Sequence, residues 1–219
     1  MVSSIVIYEP DDSIDTSDLY NKLNSSYEHE RPHQELDTLK TDISSLAHVS
    51  RGVECRVRYD TADSVRVRGG TEPVRNLSTA QVRFTSDYVF FLDYNRRSFV
   101  EREVRKILDL DTDEFNQVRF SSGLVIDVTE EDSDTIEEGY WNNPTDHTTT
   151  ASLYGDIDDS SLAARFNQNG QPTYAKFESE HFDGSEVGVS ANKSSIAFWG
   201  DRSRDEQVNY FYNIVEPLV

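Results

Sequence analysis

Cysteine occurs once in the 219 residues, at Cys55, so the chain can form no internal disulfide. Lysine is nearly as sparse. Lys22, Lys40, Lys106, Lys176 and Lys193 make up the full set, and every other basic residue is arginine. No apolar run reaches membrane-spanning length, and YVFFL at Tyr88–Leu92 is the size of a strand. The opening MVSSIVIYEPDD has no basic segment and too short an apolar stretch for a secretory signal. These absences lead to the expectation of a soluble, cytoplasmic protein without membrane association.

Catalytic signatures are missing as well. Gly69-Gly70 lacks the Lys-Ser/Thr that completes a phosphate loop. His29-Glu30-Arg31-Pro32-His33 has the letters of a zinc-protease HExxH. Two such histidines share a metal only from one helical face, however, and Pro32 breaks that turn. Ser121 and Ser122 have no histidine close in sequence to activate them. The chain is therefore expected to be non-enzymatic, with no cofactor and no metal. A hydrolase or nuclease would need carboxylates that only folding could gather.

What the sequence does have is negative charge: 41 acidic residues against 21 basic ones, a net of −20. This acidic, lysine-poor composition resembles that of haloarchaeal proteins. Such self-repulsion opposes a compact state in dilute buffer, whereas molar salt shortens the Debye length to about 3 Å and removes most of it. Low hydrophobicity with high net charge also describes disordered chains. Eleven tyrosines and eleven phenylalanines spread along the sequence favour a folded core.

The apolar spacing predicts the elements. SIVIY at Ser4–Tyr8 reads as a strand, and DTSDLYNKLNSSY as a helix capped by Thr16 or Ser17, with Leu19 and Leu23 one turn apart. EHERPH reads as a break. Leu36, Leu39, Ile43 and Leu46 then recur at 3-4-3 spacing, which predicts an amphipathic helix to about Val49. From Val53 the period is two. VECRVRY forms a strand, DTADS a turn, Val65–Arg68 a strand closed by Gly69-Gly70, and AQVRF and YVFFLD two more. Ser98-Phe99-Val100-Glu101 reads as a capping box opening a helix with Val100, Val104, Ile107 and Leu108 on one face.

In the second half VRFSSGLVIDV reads as two strands or one bent strand, and the acidic interval from 129 to 161 as a long insertion. TYAKFES, EVGVSA and SSIAFWG follow as strands. A second capping box at Ser203–Glu206 opens a helix carrying Val208, Phe211, Tyr212 and Val215. Helix core positions match at a shift of 104, Val104 with Val208 and Ile107 with Phe211. The expected fold is α+β: two pseudo-repeats of antiparallel sheet plus C-terminal helix, residues 1–110 and 111–219.

One stretch opposes the overall charge. Between Arg51 and Lys106 twelve basic residues face eight acidic ones, a local +4 that leaves −24 for the rest. Arg56, Arg58, Arg66, Arg68 and Arg83 fall on the polar phase of neighbouring strands, so they are expected to project from one sheet face. Parallel arginines repel one another unless something anionic meets them. Phosphate suits the planar guanidinium fork, whose close hydrogen bonds survive salt that would screen a diffuse field. An acidic protein partner, a second copy of the chain, or the chain's own Asp109–Ser160 segment would satisfy the same charges; that segment holds fifteen acidic residues and only Arg119 as a base.

The order of elements is similar to that of the TATA-box-binding-protein fold: strand, helix, antiparallel strands, long helix, then the set again. Repeats of that family carry a hairpin reading apolar-Phe-x-Ser-Gly-Lys. Phe84-Thr85-Ser86-Asp87-Tyr88 matches it with Asp for Gly and Tyr for Lys, and Phe120-Ser121-Ser122-Gly123-Leu124 matches it more fully, 36 residues later. The corresponding place near Val189 has no phenylalanine, and the helix at Leu36–Leu46 is an addition. In that family the phenylalanine wedges between bases from the concave sheet face, whereas alternation here puts Phe84 opposite Arg83; the resemblance implies a duplicated, sheet-faced binding protein. The expectation is a nucleic-acid-binding protein, DNA more than RNA, acting in transcription or DNA maintenance through Arg56, Arg58, Arg66, Arg68 and Arg83. The alternative is an adaptor or structural subunit whose arginine face docks an acidic partner, or a homo-oligomer.

Overall fold

The computed structural model describes residues 2–25, 27–92, 97–133, 135–145, 147–155, 157, 165–166 and 168–219, with the side chains at 97 and 98 also left aside. The architecture is α+β and mostly antiparallel. The chain divides into two compact units, Tyr8–Asn116 and Met1–Ile7 with Gln117–Val219. The first seven residues thus group with the second half of the chain.

In the first unit, strand β1 (Val2–Pro10) ends and helix α1 (Thr16–Asn24) follows. Its cap is Asp15, one residue ahead of the expected Thr16 or Ser17, and the Asp15 carboxylate accepts from the Ser17 and Asp18 amides at 3.0 Å. A carboxylate there also faces the positive end of the helix dipole. Strands β2 (Glu28–His33), β3 (Asp37–Val49), β4 (Gly52–Val67), β5 (Gly70–Phe84) and β6 (Val89–Leu92) form an antiparallel meander in chain order. Helix α2 (Arg97–Leu108) closes the unit, and the cap expected at Ser98 lies outside the described side chains. Val53, Cys55, Val57 and Tyr59, alternate residues of β4, are all buried. Tyr59 meets Phe99 of α2 at 4.8 Å, while Val100, Val104 and Ile107 of that helix are fully buried. This side of the sheet is the core.

Three readings of this half are corrected. Leu36–Leu46 is not a helix: residues from Asp37 onward form β3, in register with β4. EHERPH is not a break but the edge strand β2, the one place in a sheet where Pro32 removes no needed donor. DTADS is not a turn. Asp60–Ser64 pair with Leu77–Pro73, and the reversal comes at Arg68-Gly69, where Gly69 adopts φ 112°. Positive φ is cheap only for glycine, which places the turn there.

In the second unit the strand order is β1, β12 (Ser195–Trp199), β11 (Ser185–Ser190), β10 (Gln171–Ser179), β8 (Ile136–Thr145), β9 (Thr148–Tyr154). A short β7 (Phe115–Gln117) leads into helix α3 (Ser122–Asp132). VRFSSGLVIDV is thus a loop and a helix rather than strands. Ser121 caps α3 by accepting from the Leu124 amide at 3.0 Å, and Leu124, Val125 and Val128 are buried. The acidic interval 129–161 is likewise corrected, since β8 and β9 form a hairpin within it. Trp141, Ile157 and Phe166 pack together beneath that hairpin. Helix α4 (Arg204–Tyr210) carries the expected capping box: Ser203 Oγ accepts from the Glu206 amide at 3.3 Å and Glu206 accepts from the Ser203 amide at 2.7 Å. The helix continues through a π turn (Phe211–Val215) and a 3-10 turn (Glu216–Leu218). Among the described residues no helix is long and apolar enough to cross a membrane.

In each unit two helices bracket five strands, and the second unit adds helical residues at 165–166 and 168–169 and a 3-10 turn (Glu180–Phe182) among its strands. The hairpins preceding α2 and α4 close at Phe84↔Val89 and Ser190↔Ser195, positions 106 apart.

Candidate functional site

β4 and β5 pair without interruption from Val53↔Phe84 to Val67↔Gly70. Their neighbours stop short. β3 pairs with β4 only as far as Tyr59, and β6 pairs with β5 only from Gln81. The remainder is a two-stranded ribbon extending roughly 25 Å at about 3.3 Å per residue. Every residue from 60 to 79 is exposed or half-buried.

Residues paired across a ladder share a face. Arg56 pairs with Gln81, Arg58 with Thr79, Arg66 with Thr71, and Glu54 with Arg83. Arg56, Arg58, Arg66 and Arg83 therefore do share one face, opposite the α1/α2 side; Arg75, paired with Ala62, joins them, and Arg68 sits at the tip in the turn.

Sharing a face does not give these arginines the same job. Arg83 lies inside the fold with its side chain 2% exposed. Its Nε and Nη2 both donate to Glu54 Oε2, at 3.0 and 2.6 Å, and Gln81 Nε2 donates to Glu54 Oε1 at 2.9 Å. Arg83 therefore leaves the set that can meet a partner, because burial of a charge demanded an internal mate. Arg58 donates to Asp42 at 2.6 Å, and that bond raises its pKa. Arg75 Nη2 donates to the carbonyls of Leu36 and Thr38 at 3.0 and 2.6 Å, tying the base of the ribbon to the β2–β3 turn. Arg31 reinforces the same base. It donates to the Asp60 carbonyl at 2.8 Å while its guanidinium stands 4.1 Å from the Phe99 ring centre. Arg56, Arg66 and Arg68 are exposed, and among the described residues they enter no ion pair.

From 60 to 79 the ribbon carries Arg66, Arg68 and Arg75 against Asp60, Asp63 and Glu72, so it is neutral in a chain of −20. Its opposite face exposes Val65 at 47%, Val67 at 40% and Val74 at 37%. Sequence reading missed the ribbon because Asp60–Ser64 has no apolar period. The usable signal was Val-Arg-Val-Arg running straight into Gly-Gly, a hairpin tip.

The HExxH letters resolve into two separate structural roles. On an extended strand His29 and His33 cannot converge on one ion. His29 Nδ1 lies 3.1 Å from the buried Glu103 carboxylate, which also accepts from Lys106 at 3.0 Å, and His33 Nδ1 accepts from the Glu35 and Leu36 amides at 3.2 Å. Among the described residues no cluster of three or more His, Cys, Asp or Glu side chains is placed to hold a metal. Phe84 is fully buried on the helix-facing side of the sheet, and Phe120 is 5% exposed. No protein-family model and no curated protein matches this sequence.

Proposed function

We propose that the first unit binds nucleic acid through its arginine-bearing ribbon, with Arg56, Arg66 and Arg68 making the contacts and Arg58 and Arg75 fixing the ribbon's base. One observation carries the reading. Arg66 and Arg68 stand exposed on the projecting ribbon and Arg56 on the same face at its root, where β3 still pairs with β4. Among the described residues none of the three enters an ion pair, in a chain with about twice as many acidic as basic residues. A two-stranded ribbon fits the major groove of duplex DNA, and arginine forks bond phosphate or guanine edges bidentately. In molar salt, close hydrogen-bonded contacts are the kind that persist, because counterion release then contributes little.

The duplicated, sheet-faced architecture of the TATA-box-binding-protein fold belongs to the same proposal. It is supported by the five strands that two helices bracket in each unit and by the matched hairpins. Buried Phe84 and Phe120 make poor wedges, so recognition is assigned to the ribbon.

The test is fluorescence anisotropy of a labelled DNA duplex titrated with the full chain across a KCl series. Arg56→Gln/Arg66→Gln/Arg68→Gln should weaken binding and flatten the log–log salt slope by up to about 2.7, at about 0.9 per lost phosphate contact. An unchanged affinity and slope would reject the reading. Exposed Val65, Val67 and Val74 favour a second reading, an adaptor whose ribbon docks a protein. A salt-stable oligomer free of nucleic acid, seen by light scattering and lost in Val65→Ser/Val67→Ser, would support that instead.

A further inference from the structure

The second unit carries a surface the proposed function does not use. One side of its sheet buries Ala175, Phe177, Val187, Val189, Ile196 and Phe198, with Tyr210 meeting Phe198 at 5.5 Å, and α3 packs on β10 and β11. The other side presents a different set of residues. Tyr140, Tyr174 and Ser190 lie across from one another in one row, and Glu138, Lys176, Gly188 and Ala197 in the next.

Aromatic rings cover much of this open face. A Cβ at Gly188 would stand 2.9 Å from the Tyr174 hydroxyl and 3.0 Å from the six-membered ring of Trp199, so the absent side chain is what lets both lie over the sheet. Tyr140 meets Tyr174 at 5.5 Å and Tyr154 at 6.1 Å. Tyr140, Tyr174 and Trp199 are half-buried and Tyr154 is 66% exposed. Tyr140, Tyr174 and Trp199 line a shallow cavity of about 580 Å³ whose rim adds Asn142, Asn192 and Thr150. That volume is within the usual range for small-ligand sites, about 300–1,000 Å³.

The charges define what fits. Lys176 is bonded to Glu137 at 3.0 Å and to Glu186, and stands 5.2 Å from the Trp199 ring centre. The chain's own ammonium thus takes the place a cationic ligand would seek. Burial lowers the Lys176 pKa, but the bonds from Glu186 and Glu137 outweigh it and keep the group protonated. The Tyr140 hydroxyl donates to Glu138 at 2.8 Å. Glu138 and Lys193 are one acid and one base among the lining residues. The unit as a whole has six basic and nineteen acidic residues, a net of −13, which repels a polyanion.

We propose that this face is a binding site for an uncharged carbohydrate. Sugar C–H faces carry partial positive charge and lie against the negative faces of aromatic rings. The amides of Asn142 and Asn192 and the Thr150 and Ser190 hydroxyls supply both donors and acceptors for sugar hydroxyls. This site is independent of the ribbon.

The experiment titrates the full chain, in molar KCl, with maltose, cellobiose and diacetylchitobiose, read by tryptophan emission and calorimetry. At least one sugar should bind with half-saturation near about 1 mM, a typical weak-ligand affinity. Trp199→Ala and Tyr174→Ala should each weaken it at least about tenfold, one 1.4 kcal/mol step, with Trp199→Phe in between. Gly188→Ala, which displaces both rings, should act like Trp199→Ala. If Trp199→Ala does not fold, Tyr140→Ala takes its place. Failure of all three sugars to bind, binding indifferent to these substitutions, or saturation instead by an oligothymidylate strand would each overturn the proposal.

Discussion

Replacing Arg83 by methionine removes one charge from a nearly dry pair and keeps most of the volume. Glu54, with its side chain 9% exposed, then retains Gln81 as a donor but loses the two guanidinium bonds at 2.6 and 3.0 Å. Breaking one partner of a buried pair costs about 3–5 kcal/mol, because the remaining charge loses a close hydrogen-bonded mate. With a urea dependence of about 2 kcal/mol per molar, the unfolding midpoint should fall by about 1.5–2.5 M. Trp141 and Trp199 both belong to the second unit, so far-ultraviolet circular dichroism is the measurement for the first. Glu54→Gln/Arg83→Met leaves Gln81 an acceptor and no charge, and it should recover most of the loss. A loss below about 1 kcal/mol, the range of exposed pairs, together with abolished DNA binding, would refute the reasoning and return Arg83 to the binding face.

Three further outcomes follow from local geometry. Ser203→Ala should cost about 1 kcal/mol by removing a helix cap. Bonds from Ser203 hold the Glu206 carboxyl below its ordinary 4.5, so this contribution is fully present above that pH and fades as pH falls through the lowered value; urea melts at two pH values check it. Gly52→Ala should destabilise the first unit by about 1–3 kcal/mol or more, since Gly52 sits at φ 120° and a Cβ would meet the Phe84 carbonyl oxygen at 2.0 Å. The Cys55 thiol, pushed up to about 12 by burial and then by the Glu54 charge, should resist a thiol reagent at pH 8 in the native protein and react once urea unfolds the first unit.

The sequence was most readable where one face is buried and the ladder is regular. Val53, Cys55, Val57 and Tyr59 alternate cleanly, and the capping box at Ser203 needs only local bonds. The false helix at Leu36–Leu46 shows what defeats this logic. β3 carries a bulge: Ser44 pairs with Arg56 and Ala47 with Glu54, so three residues advance against two, with Ser45 at φ 52°. The extra residue brings Leu46 to the same side as Ile43, three positions earlier, and strand plus bulge imitates a helical period. The arginines were legible as a face because alternation sets direction. Which of them would be internally paired was not, since Arg83 meets Glu54 through the ladder and Arg75 reaches carbonyls 37 and 39 residues away. The aromatic face was invisible because Tyr140, Tyr174 and Trp199 come from three separate strands.

Residues Val2–Val6 hydrogen-bond in register with Ser195–Trp199, across almost the whole length of the chain. During synthesis Val2–Val6 must wait for partners nearly two hundred residues further along the chain, while the strands of Tyr8–Asn116 find theirs close by. Closing so long a loop is slow relative to local pairing. Refolding should therefore proceed in two phases, with the later one dependent on those few N-terminal residues and insensitive to substitutions in the ribbon.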